Sequence, residues 1–299
     1  MSRNKGKTKK PRVKSHPLVW FGGKYWLGEK IDRLYTPAHK IYVEPFAGGS
    51  HLFFRKEPAG LEVLNDMDSG LVNFYRVLRD PDQFSKFQRM AELSLYSREE
   101  FEECQANWMK YKNPVKRAWA WYINHRHAWG GMPDKGFAIA VKSSGVMSES
   151  AADYLNGLER LPNTHARLRM AQIEHKDFAW VINKHDTPAT FFYCDPPYVW
   201  DTRVSGVYAC EMSDGEHLDL VDMLLDIQGM CLLSGYDNDI YLPLEVAGWK
   251  RKVIKVNSPT GKTPREEVLW FSPNLLKVLW SQGKCLELRE DIEETKLTS

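Results

Sequence analysis

The stretch Thr190-Phe191-Phe192-Tyr193-Cys194-Asp195-Pro196-Pro197-Tyr198 decides the fold. Its apolar and aromatic part suits a strand that is buried on both faces, and the acid, two prolines and tyrosine after it stop that strand abruptly. Open α/β sheets bind their ligands at the carboxyl ends of parallel strands. The stretch therefore predicts an α/β fold with polar chemistry beginning at Asp195.

The residue types after this strand suit a substrate amine conjugated to an aromatic ring. Such a nitrogen is a poor nucleophile because its lone pair is delocalised, and acceptors aimed at its N–H groups help to draw that pair out of the ring plane. Asp195 offers a carboxylate acceptor, the Pro196 carbonyl offers a second one on a stiff backbone, and Tyr198 offers a flat stacking face. A Pro-Pro turn with an acid that caps a helix explains the same residues without a substrate.

The composition is that of a globular protein. The chain has 299 residues, 43% apolar and 27% charged, which suits one large domain or a core domain with a smaller one inserted. We find no run of about 18 apolar residues and no apolar signal-peptide core, so we expect a cytoplasmic protein. The five cysteines are odd in number and lack metal-ligand spacing, so we expect reduced, structural thiols and no metal.

The net charge of +2 conceals two tails of opposite sign. Residues 2–14 are basic without apolar periodicity, and residues 287–294 are mostly acidic. A disordered arm attracted to phosphate and a merely solvated terminus explain the basic tail equally well. We therefore predict tails at residues 1–16 and 281–299.

Two glycine-rich turns follow apolar segments in the first fifty residues. Gly22-Gly23-Lys24 comes after Leu18 to Phe21, and Gly48-Gly49-Ser50 ends a segment that begins as a strand at Ile41. Glycine lets the backbone approach a ligand closely, and N–H groups at a following helix start attract a carboxylate. Taken singly, each could be an ordinary turn.

Two further strand ends carry acids. Residues 62–68 form a short strand that ends at Asp66 and Asp68, about 20 residues after the glycines, a spacing at which a carboxylate accepts ribose hydroxyls. We expect Asp68 to cap the helix that follows. Asp177-Phe178 ends another strand, where a carboxylate and a ring suit a cofactor adenine, or form a helix cap beside a core ring.

The sequence pattern between Asp80 and Arg169 predicts a mainly helical region. Asn113-Pro114 predicts a helix start, and the helix leads into a segment that contains Asn124, Arg126 and the Trp129-Gly130 turn. An arginine can bind guanine through two hydrogen bonds, and a turn can enter a groove of DNA. We predict that this segment contacts DNA.

After Tyr198 the sequence again has the pattern of an α/β fold. Residues 199–212 are polar and long enough to form a lid, and residues 216–227 have helical spacing. Strands are predicted at residues 229–234, 251–256 and 267–271. Lys262 and Arg265 are expected in the last loop, where phosphate contact and plain solvation are equally plausible.

The order of these motifs resembles the Dam-type (D12 class) DNA adenine-N6 methyltransferases, which use S-adenosylmethionine. "FYCDPPY" resembles their catalytic motif and "VEPFAGGS" their cofactor loop. The resemblance covers nearly all of residues 17–275 and is strongest outside the helical region. It implies a Rossmann-like methyltransferase sheet, formed by residues 17–80 and 170–280, with a mainly helical target-recognition domain inserted at residues 81–169.

The resemblance also assigns roles to individual residues. The catalytic residues it implies are Asp195, Pro196, Pro197 and Tyr198. The S-adenosylmethionine-binding residues it implies are Trp20, Gly23, Lys24, Phe46, Gly48, Gly49, Ser50, Asp66, Asp177, Phe178 and Asp195. The DNA-binding candidates are Asn124, Arg126, Trp129, Gly130, Lys262 and Arg265.

The implied reaction transfers a methyl group to N6 of an adenine flipped out of double-stranded DNA. The implied setting is a bacterial or phage-infected cell, without membrane or metal, and a cognate restriction endonuclease is a candidate partner. Methylation of RNA adenine or of cytosine N4, a catalytically silent DNA-binding protein, and a Rossmann-like dehydrogenase stay open. The Gly48-Gly49-Ser50 turn does not form the G-x-G-x-x-G pattern and disfavours the dehydrogenase.

Overall fold

The protein was analysed as a computed structural model, which describes residues 16, 18, 20, 25–199, 210–256 and 265–288, without the side chains of residues 25, 26, 256 and 265. Its strands are β1 (Ile41–Glu44), β2 (Leu61–Asn65), β3 (Ser143–Ser144), β4 (Met147–Ser148), β5 (Gln172–Glu174), β6 (Thr190–Cys194), β7 (Met230–Gly235), β8 (Lys250–Val256) and β9 (Arg265–Phe271). Its helices are α1 (Tyr25–Lys30), α2 (His51–Arg55), α3 (Ser69–Arg79), α4 (Pro81–Leu93), α5 (Arg98–Asn107), α6 (Pro114–Arg126), α7 (Glu149–Leu168), α8 (Phe178–His185), α9 (Asp214–Leu225), α10 (Leu242–Val246) and α11 (Pro273–Ser281).

The described strands other than β3 and β4 form one seven-stranded sheet in the order β5-β2-β1-β6-β7-β9-β8. The first five strands are parallel, β9 is antiparallel to β7, and β8 is antiparallel to β9. The strand order reverses between β1 and β6, because the chain builds outward from β1 in one direction and from β6 in the other. A crevice at such a switch point, beyond the carboxyl ends of the strands, is where open α/β sheets bind ligands.

Helices cover both faces of the sheet, which explains why its parallel strands are apolar on both sides. Tyr42 and Phe191 face a layer that contains α3, α6 and α11, whereas Val43 and Phe192 face α8 and α9. Successive strand residues therefore belong to different core clusters. The α/β fold predicted from the sequence is confirmed.

The region between α3 and β5 is mainly helical, as predicted. Helices α4 and α5 pack on α6, and α6 and α7 pack on α3. One hydrophobic cluster continues from the sheet face through α3 into these helices. The division into two domains stays a prediction, since the described part of the inserted region shares its core with the sheet.

Local capping fixes the helix starts that the sequence predicts. The Asp68 side chain accepts a hydrogen bond from the Gly70 N–H, and the Asn113 side chain accepts one from the Lys116 N–H. Ser213 and Glu216 form a capping box at the start of α9. Each cap satisfies an N–H group that has no partner inside the helix.

Both predicted tail boundaries shift when the packing is considered. His16 is buried, and its Nε2 lies 3.1 Å from the Tyr75 hydroxyl. Near the other end Cys285 and Leu288 are buried, and Lys252 forms an ion pair with Glu287. The packed chain therefore extends to residue 288, beyond the predicted boundary at 281. None of the helices in the described ranges is long and apolar enough to cross a membrane.

Candidate active site

Asp195 directly follows β6 at the centre of the sheet. The five residues of β6 are buried, and Asp195 is half-buried at the carboxyl end of this strand. The Ser234 hydroxyl on β7 donates a hydrogen bond of 2.8 Å to Asp195 Oδ1. This bond orients the carboxylate, because β7 lies beside β6 in the sheet.

Tyr198 is held from two sides at the same sheet edge. Its hydroxyl donates a hydrogen bond of 2.7 Å to Glu267 Oε2 on β9. The Tyr236 ring, just after β7, meets the Tyr198 ring edge-on with centroids 4.4 Å apart. Edge-to-face pairs of this kind add about 0.5–1.5 kcal/mol beyond the area they bury. The orientation of the Tyr198 ring is therefore set by residues outside the Asp-Pro-Pro-Tyr motif.

The glycine turn after β1 is fastened to the end of β2. The Gly48 N–H donates to Asp66 Oδ2 and the Asp68 N–H donates to Asp66 Oδ1, each at 2.8 Å. Gly48 has φ +45°, and a Cβ at this position would lie 2.8 Å from Nε1 of Trp20. A side chain here would be both strained and crowded. Burial raises the pKa of Asp66 to about 6, against the two N–H groups that lower it.

Glu44 at the end of β1 is buried beneath this turn. Its Oε1 accepts from the Tyr42 hydroxyl at 2.5 Å and from the Phe53 N–H at 3.0 Å, which joins β1 to α2. Burial raises the pKa of Glu44 to about 7, although these donors lower it. The group therefore anchors α2 to β1 and is not among the residues that line the cleft.

Ser50 precedes α2 but does not cap it with its side chain. Its backbone has φ 47° and ψ 39°, in the left-handed region, and its hydroxyl donates to the Ala47 carbonyl. The Ser50 N–H donates to the same carbonyl at 2.7 Å. Serine therefore closes the turn in a conformation that favours glycine.

Asp177 and Phe178 fit both of the interpretations that the sequence allows. The Asp177 side chain caps α8 by accepting from the Ala179 N–H at 2.8 Å. The Phe178 ring packs against the Phe46 ring with centroids 5.3 Å apart. Phe46 follows β1 and Phe178 follows β5, two strands on the same side of the switch point, and both rings line the same cleft.

One cleft at the carboxyl ends of the parallel strands unites most of the predicted cofactor residues. The predicted residues that line it are Trp20, Phe46, Gly48, Asp66, Asp177, Phe178, Asp195 and Pro197. Four other predicted residues lie within two sequence positions of a lining residue: Gly49, Ser50, Pro196 and Tyr198. Gly23 and Lys24 lie outside the described residues.

The predicted lid is described only at its end. Cys210, Glu211 and Met212 line the same cleft as Asp66 and Phe178, and residues 200–209 lie outside the described ranges. Within the described residues, no group of three or more His, Cys, Asp or Glu side chains is arranged to hold a metal ion.

A second cleft lies between the start of α3 and the inserted region. Trp20, Met67, Asp68 and Cys210 line both clefts, so the two adjoin. Asn124 lines the second cleft and is 3% exposed, and its Oδ1 has no hydrogen-bond partner among the residues that the structure describes. The side chain is therefore available to a ligand that donates a hydrogen bond.

The other DNA-binding candidates of the inserted region differ in exposure. Trp129 is 50% exposed, and Gly130 beside it has φ +61°. Arg126 is buried, and its guanidinium donates to the Asp153 carbonyl and packs over Gly157 of α7. Its charged group is thus engaged inside the protein, and we leave Arg126 out of the DNA-contacting set.

The last two candidates fall at the edge of the described chain. Arg265 begins β9, so it lies in a strand and not in the loop that the sequence predicts; its side chain is not described. Lys262 lies outside the described residues.

Sequence patterns did not single out the residues that support the site from β7, β9 and α6. Ser234 could have been found, because it ends a predicted parallel strand next to β6. Glu267 had no such signal, since its strand runs antiparallel. His125 of α6 stacks on Trp20 with centroids 5.7 Å apart and planes 5° apart, a contact between segments 105 positions apart in sequence numbering.

Comparison with known proteins gives a consistent result. The model of the D12 class N6 adenine-specific DNA methyltransferases matches residues 20–242. The DNA adenine methylase of Haemophilus influenzae is 29% identical over 294 residues, which cover 90% of this chain and 96% of that protein. The DNA N-6-adenine-methyltransferase of Escherichia phage P1 is 28% identical over 192 residues, 60% of this chain and 23% of that protein.

A third relative, the type II methyltransferase M1.LlaDCHI of Lactococcus lactis subsp. cremoris, is 38% identical over 76 residues, 25% of this chain and 26% of that protein. The matched part of the chain thus spans about a quarter of the phage and Lactococcus proteins and nearly all of the Haemophilus protein. The family model covers most of the chain, including the Asp-Pro-Pro-Tyr motif and the glycine turn. The chain therefore belongs to the D12 class of N6 adenine-specific DNA methyltransferases.

Proposed function

We propose that the protein transfers a methyl group from S-adenosylmethionine to N6 of an adenine flipped out of double-stranded DNA. The observation that carries this proposal is the position of Asp195, which lines the same cleft as Phe46, Asp66 and Phe178. An acceptor for an amine and a set of groups suited to an adenosine are thus brought together at one sheet edge.

The chemistry of the cleft fits the cofactor. An adenosine has a flat ring, two ribose hydroxyls and an exocyclic amine, and the cleft offers two phenyl rings and the carboxylates of Asp66 and Asp177. Each oxygen of Asp66 accepts one backbone N–H and retains capacity for a further donor. In this proposal Phe46 and Phe178 hold the adenine ring, Asp177 its amine, and Asp66 the ribose.

The bound cofactor supplies an electrophilic methyl group on a sulfonium. The protein's part is to position the target amine and to stabilise its developing charge. Asp195, oriented by Ser234, and the Pro196 carbonyl accept from the N6 hydrogens, which makes the nitrogen lone pair available. Extruding the base costs a few kcal/mol, because the base must be unstacked and unpaired. Stacking of Tyr198 on the extruded base and the hydrogen bonds to N6 offset this cost.

In the same proposal the DNA lies over the second cleft and the inserted region. Asn124, Trp129 and Gly130 are the described candidates for contact, because Asn124 Oδ1 has no partner within the described part of the chain and Trp129 is exposed. The recognised sequence does not follow from these residues. Cytoplasmic location and a cognate restriction endonuclease also stay predictions.

The test is transfer of labelled methyl groups to unmethylated duplex DNA, with modified bases mapped by sequencing. We expect wild type to form N6-methyladenine at one short sequence, and Asp195→Ala to lower the rate on the order of 10²–10³-fold, the usual cost of losing one stabilising group. Asp222→Ala is the matched control, since Asp222 is an exposed carboxylate on α9. It should leave the rate unchanged.

Three outcomes would contradict the proposal in distinct ways. Labelling of RNA but not DNA would identify RNA as the substrate. Labelling of cytosine N4 would keep the chemistry and change the base. Retention of S-adenosylmethionine by folded wild type without transfer to any nucleic acid would indicate a silent DNA-binding protein.

A further inference from the structure

Glu267 connects the edge of the sheet to the aromatic ring of the Asp-Pro-Pro-Tyr motif. Its Oε2 accepts the Tyr198 hydroxyl hydrogen bond at 2.7 Å, across 69 positions of sequence. Hydrogen bonds to a charged acceptor are about twice as strong as those between neutral groups. This contact therefore restrains the Tyr198 side chain at the end opposite its backbone.

The strand that carries Glu267 is itself firmly placed. Strand β9 pairs with β7 through Ser234↔Leu269 and Gly235↔Val268, and Leu269 and Val268 are buried. Ser234 on β7 is the residue that orients Asp195. Two adjacent strands thus hold the two ends of the motif, with one hydrogen bond to its acid and one to its tyrosine.

Alternation along β9 separates Glu267 from its neighbour. Side chains of successive strand residues point to opposite faces, so Glu266 lies on the face opposite to that of Glu267. Glu266 is exposed, whereas Glu267 is half-buried. The two adjacent glutamates therefore offer a matched pair, one in contact with Tyr198 and one not.

Stacking on an extruded base requires a fixed ring plane. A misplacement of about 1 Å in a positioning group can lower a rate on the order of a hundredfold. The Tyr236 edge contact restrains the Tyr198 ring. The Glu267 hydrogen bond restrains the hydroxyl end of the same side chain.

We propose that Glu267 is a positioning residue that holds the Tyr198 ring in the orientation for stacking on the target base. The proposal rests on the proposed function, since it presumes that Tyr198 meets a base. Glu267 acts through Tyr198 and takes no direct part in methyl transfer.

The experiment is a double-mutant cycle on single-turnover methylation of the DNA that wild type modifies. We expect Glu267→Ala to lower the rate constant about tenfold, with the KM for S-adenosylmethionine changed by less than about twofold, because only base positioning is affected. Glu267→Gln should restore most of the rate, since its amide oxygen can still accept the hydroxyl. Glu266→Ala should match wild type.

The cycle separates positioning from general damage. In a Tyr198→Phe background the hydroxyl is absent, so Glu267→Ala should add less than about twofold. Fluorescence of 2-aminopurine at the target position reports stacking directly, and we expect a higher signal in Glu267→Ala than in wild type. If the Glu267→Ala variant does not fold, Glu267→Met is used in its place, because methionine keeps the side-chain length and removes the acceptor.

Full additivity of the two substitutions would overturn the proposal, as would a rate for Glu267→Ala equal to that of Glu266→Ala. Equal loss in Glu267→Gln and Glu267→Ala would also contradict it. Absence of DNA methylation by wild type is a different result, because it would overturn the proposed function before the cycle could be started.

Discussion

The part of the chain that forms the seven-stranded sheet, called the sheet region below, and the inserted helical region position their predicted site residues for different reasons. In the sheet region Asp66 and Asp195 follow parallel strands, and both line one cleft. In the inserted region Arg126 and Trp129 lie three positions apart, yet one is buried and the other half exposed. Strand ends converge because the sheet forces them to, whereas accessibility along the α6 segment depends on which helix packs against it.

The largest expected effect tests whether the two regions are energetically one unit. Arg167 of α7 is 0% exposed and donates to both oxygens of Glu62 on β2 and to the Phe53 carbonyl. Glu62 also pairs with the buried Lys56. Arg167→Ala therefore leaves Glu62 with one of its two cations, and we expect a loss of unfolding free energy near the low end of the about 3–5 kcal/mol typical of breaking a buried ion pair. Urea denaturation should show one cooperative transition at a lower midpoint.

The exposed pair Arg98 and Glu102 on α5 provides the control for that change. Arg98→Ala should shift the unfolding free energy by less than about 1 kcal/mol, because surface ion pairs contribute little. Two separate transitions in Arg167→Ala, with the β-sheet unfolding at its wild-type midpoint, would instead show that the inserted region unfolds independently.

The second prediction contrasts a buried acid in the sheet region with a buried base in the inserted region. The pKa of Glu44 is raised from 4.5 to about 7, so the folded state binds its proton more tightly. Stability from this group is present below about pH 4.5 and is lost as the pH rises through 7. Relative to Glu44→Gln, wild type should lose a few kcal/mol across that window, with the acceptor contacts retained.

His127 should give the opposite slope. Burial lowers its pKa from 6.5 to about 4, so the folded state favours the neutral ring. Stability from this group is present above about pH 6.5 and is lost as the pH falls through 4. Relative to His127→Phe, wild type should lose stability on acidification, and slopes of the same sign for both residues in chemical denaturation from pH 5 to 8 would contradict the assignment.

The third prediction compares two left-handed glycines, one in each region. Gly48 at the cleft has φ +45° and no room for a Cβ, whereas Gly145 in the β3–β4 turn has φ +63° and a Cβ there would meet no atom of the described, non-neighbouring residues within 4 Å. Both alanine variants should lose about 1 kcal/mol to backbone strain. Gly48→Ala should also weaken S-adenosylmethionine binding about tenfold in calorimetry, since the displaced turn carries the Asp66 contact.

Unchanged affinity in Gly48→Ala would show that the turn does not contact the cofactor. Equal weakening in Gly145→Ala would show that the loss comes from general destabilisation. Either result would remove the distinction between the two glycines.

The smallest expected effect separates the two predicted DNA contacts of the inserted region. Trp129→Ala should lower duplex affinity by about 1 kcal/mol, the low end for loss of one aromatic contact, and leave stability within about 0.5 kcal/mol. Arg126→Ala should lower the stability and leave the duplex affinity unchanged, since it opens a cavity over Gly157. Fluorescence anisotropy and thermal unfolding on the same samples decide, and equal loss of affinity in both variants would refute the contrast.

Much of the site was predictable because its residues follow local rules. Asp195 and Asp66 each end a short, largely apolar strand, Asp177 follows a short strand that contains Ile173, and the carboxyl ends of parallel strands meet at one end of the sheet. Gly48 was predictable because its turn requires a positive φ, which glycine adopts without strain. These inferences need only neighbours in sequence and the topology of the sheet.

The sequence by itself determined the α/β class, the strand ends that form the cleft and the helix caps at Asp68 and Asn113. Only the tertiary structure decided that Glu267 holds Tyr198, since an antiparallel strand brings its side chains to the site from a distant segment. It also decided that Arg126 is buried, because Gly157 of α7 leaves room for its guanidinium. Local periodicity encodes which residues alternate, but the partner across a packed interface depends on the whole chain.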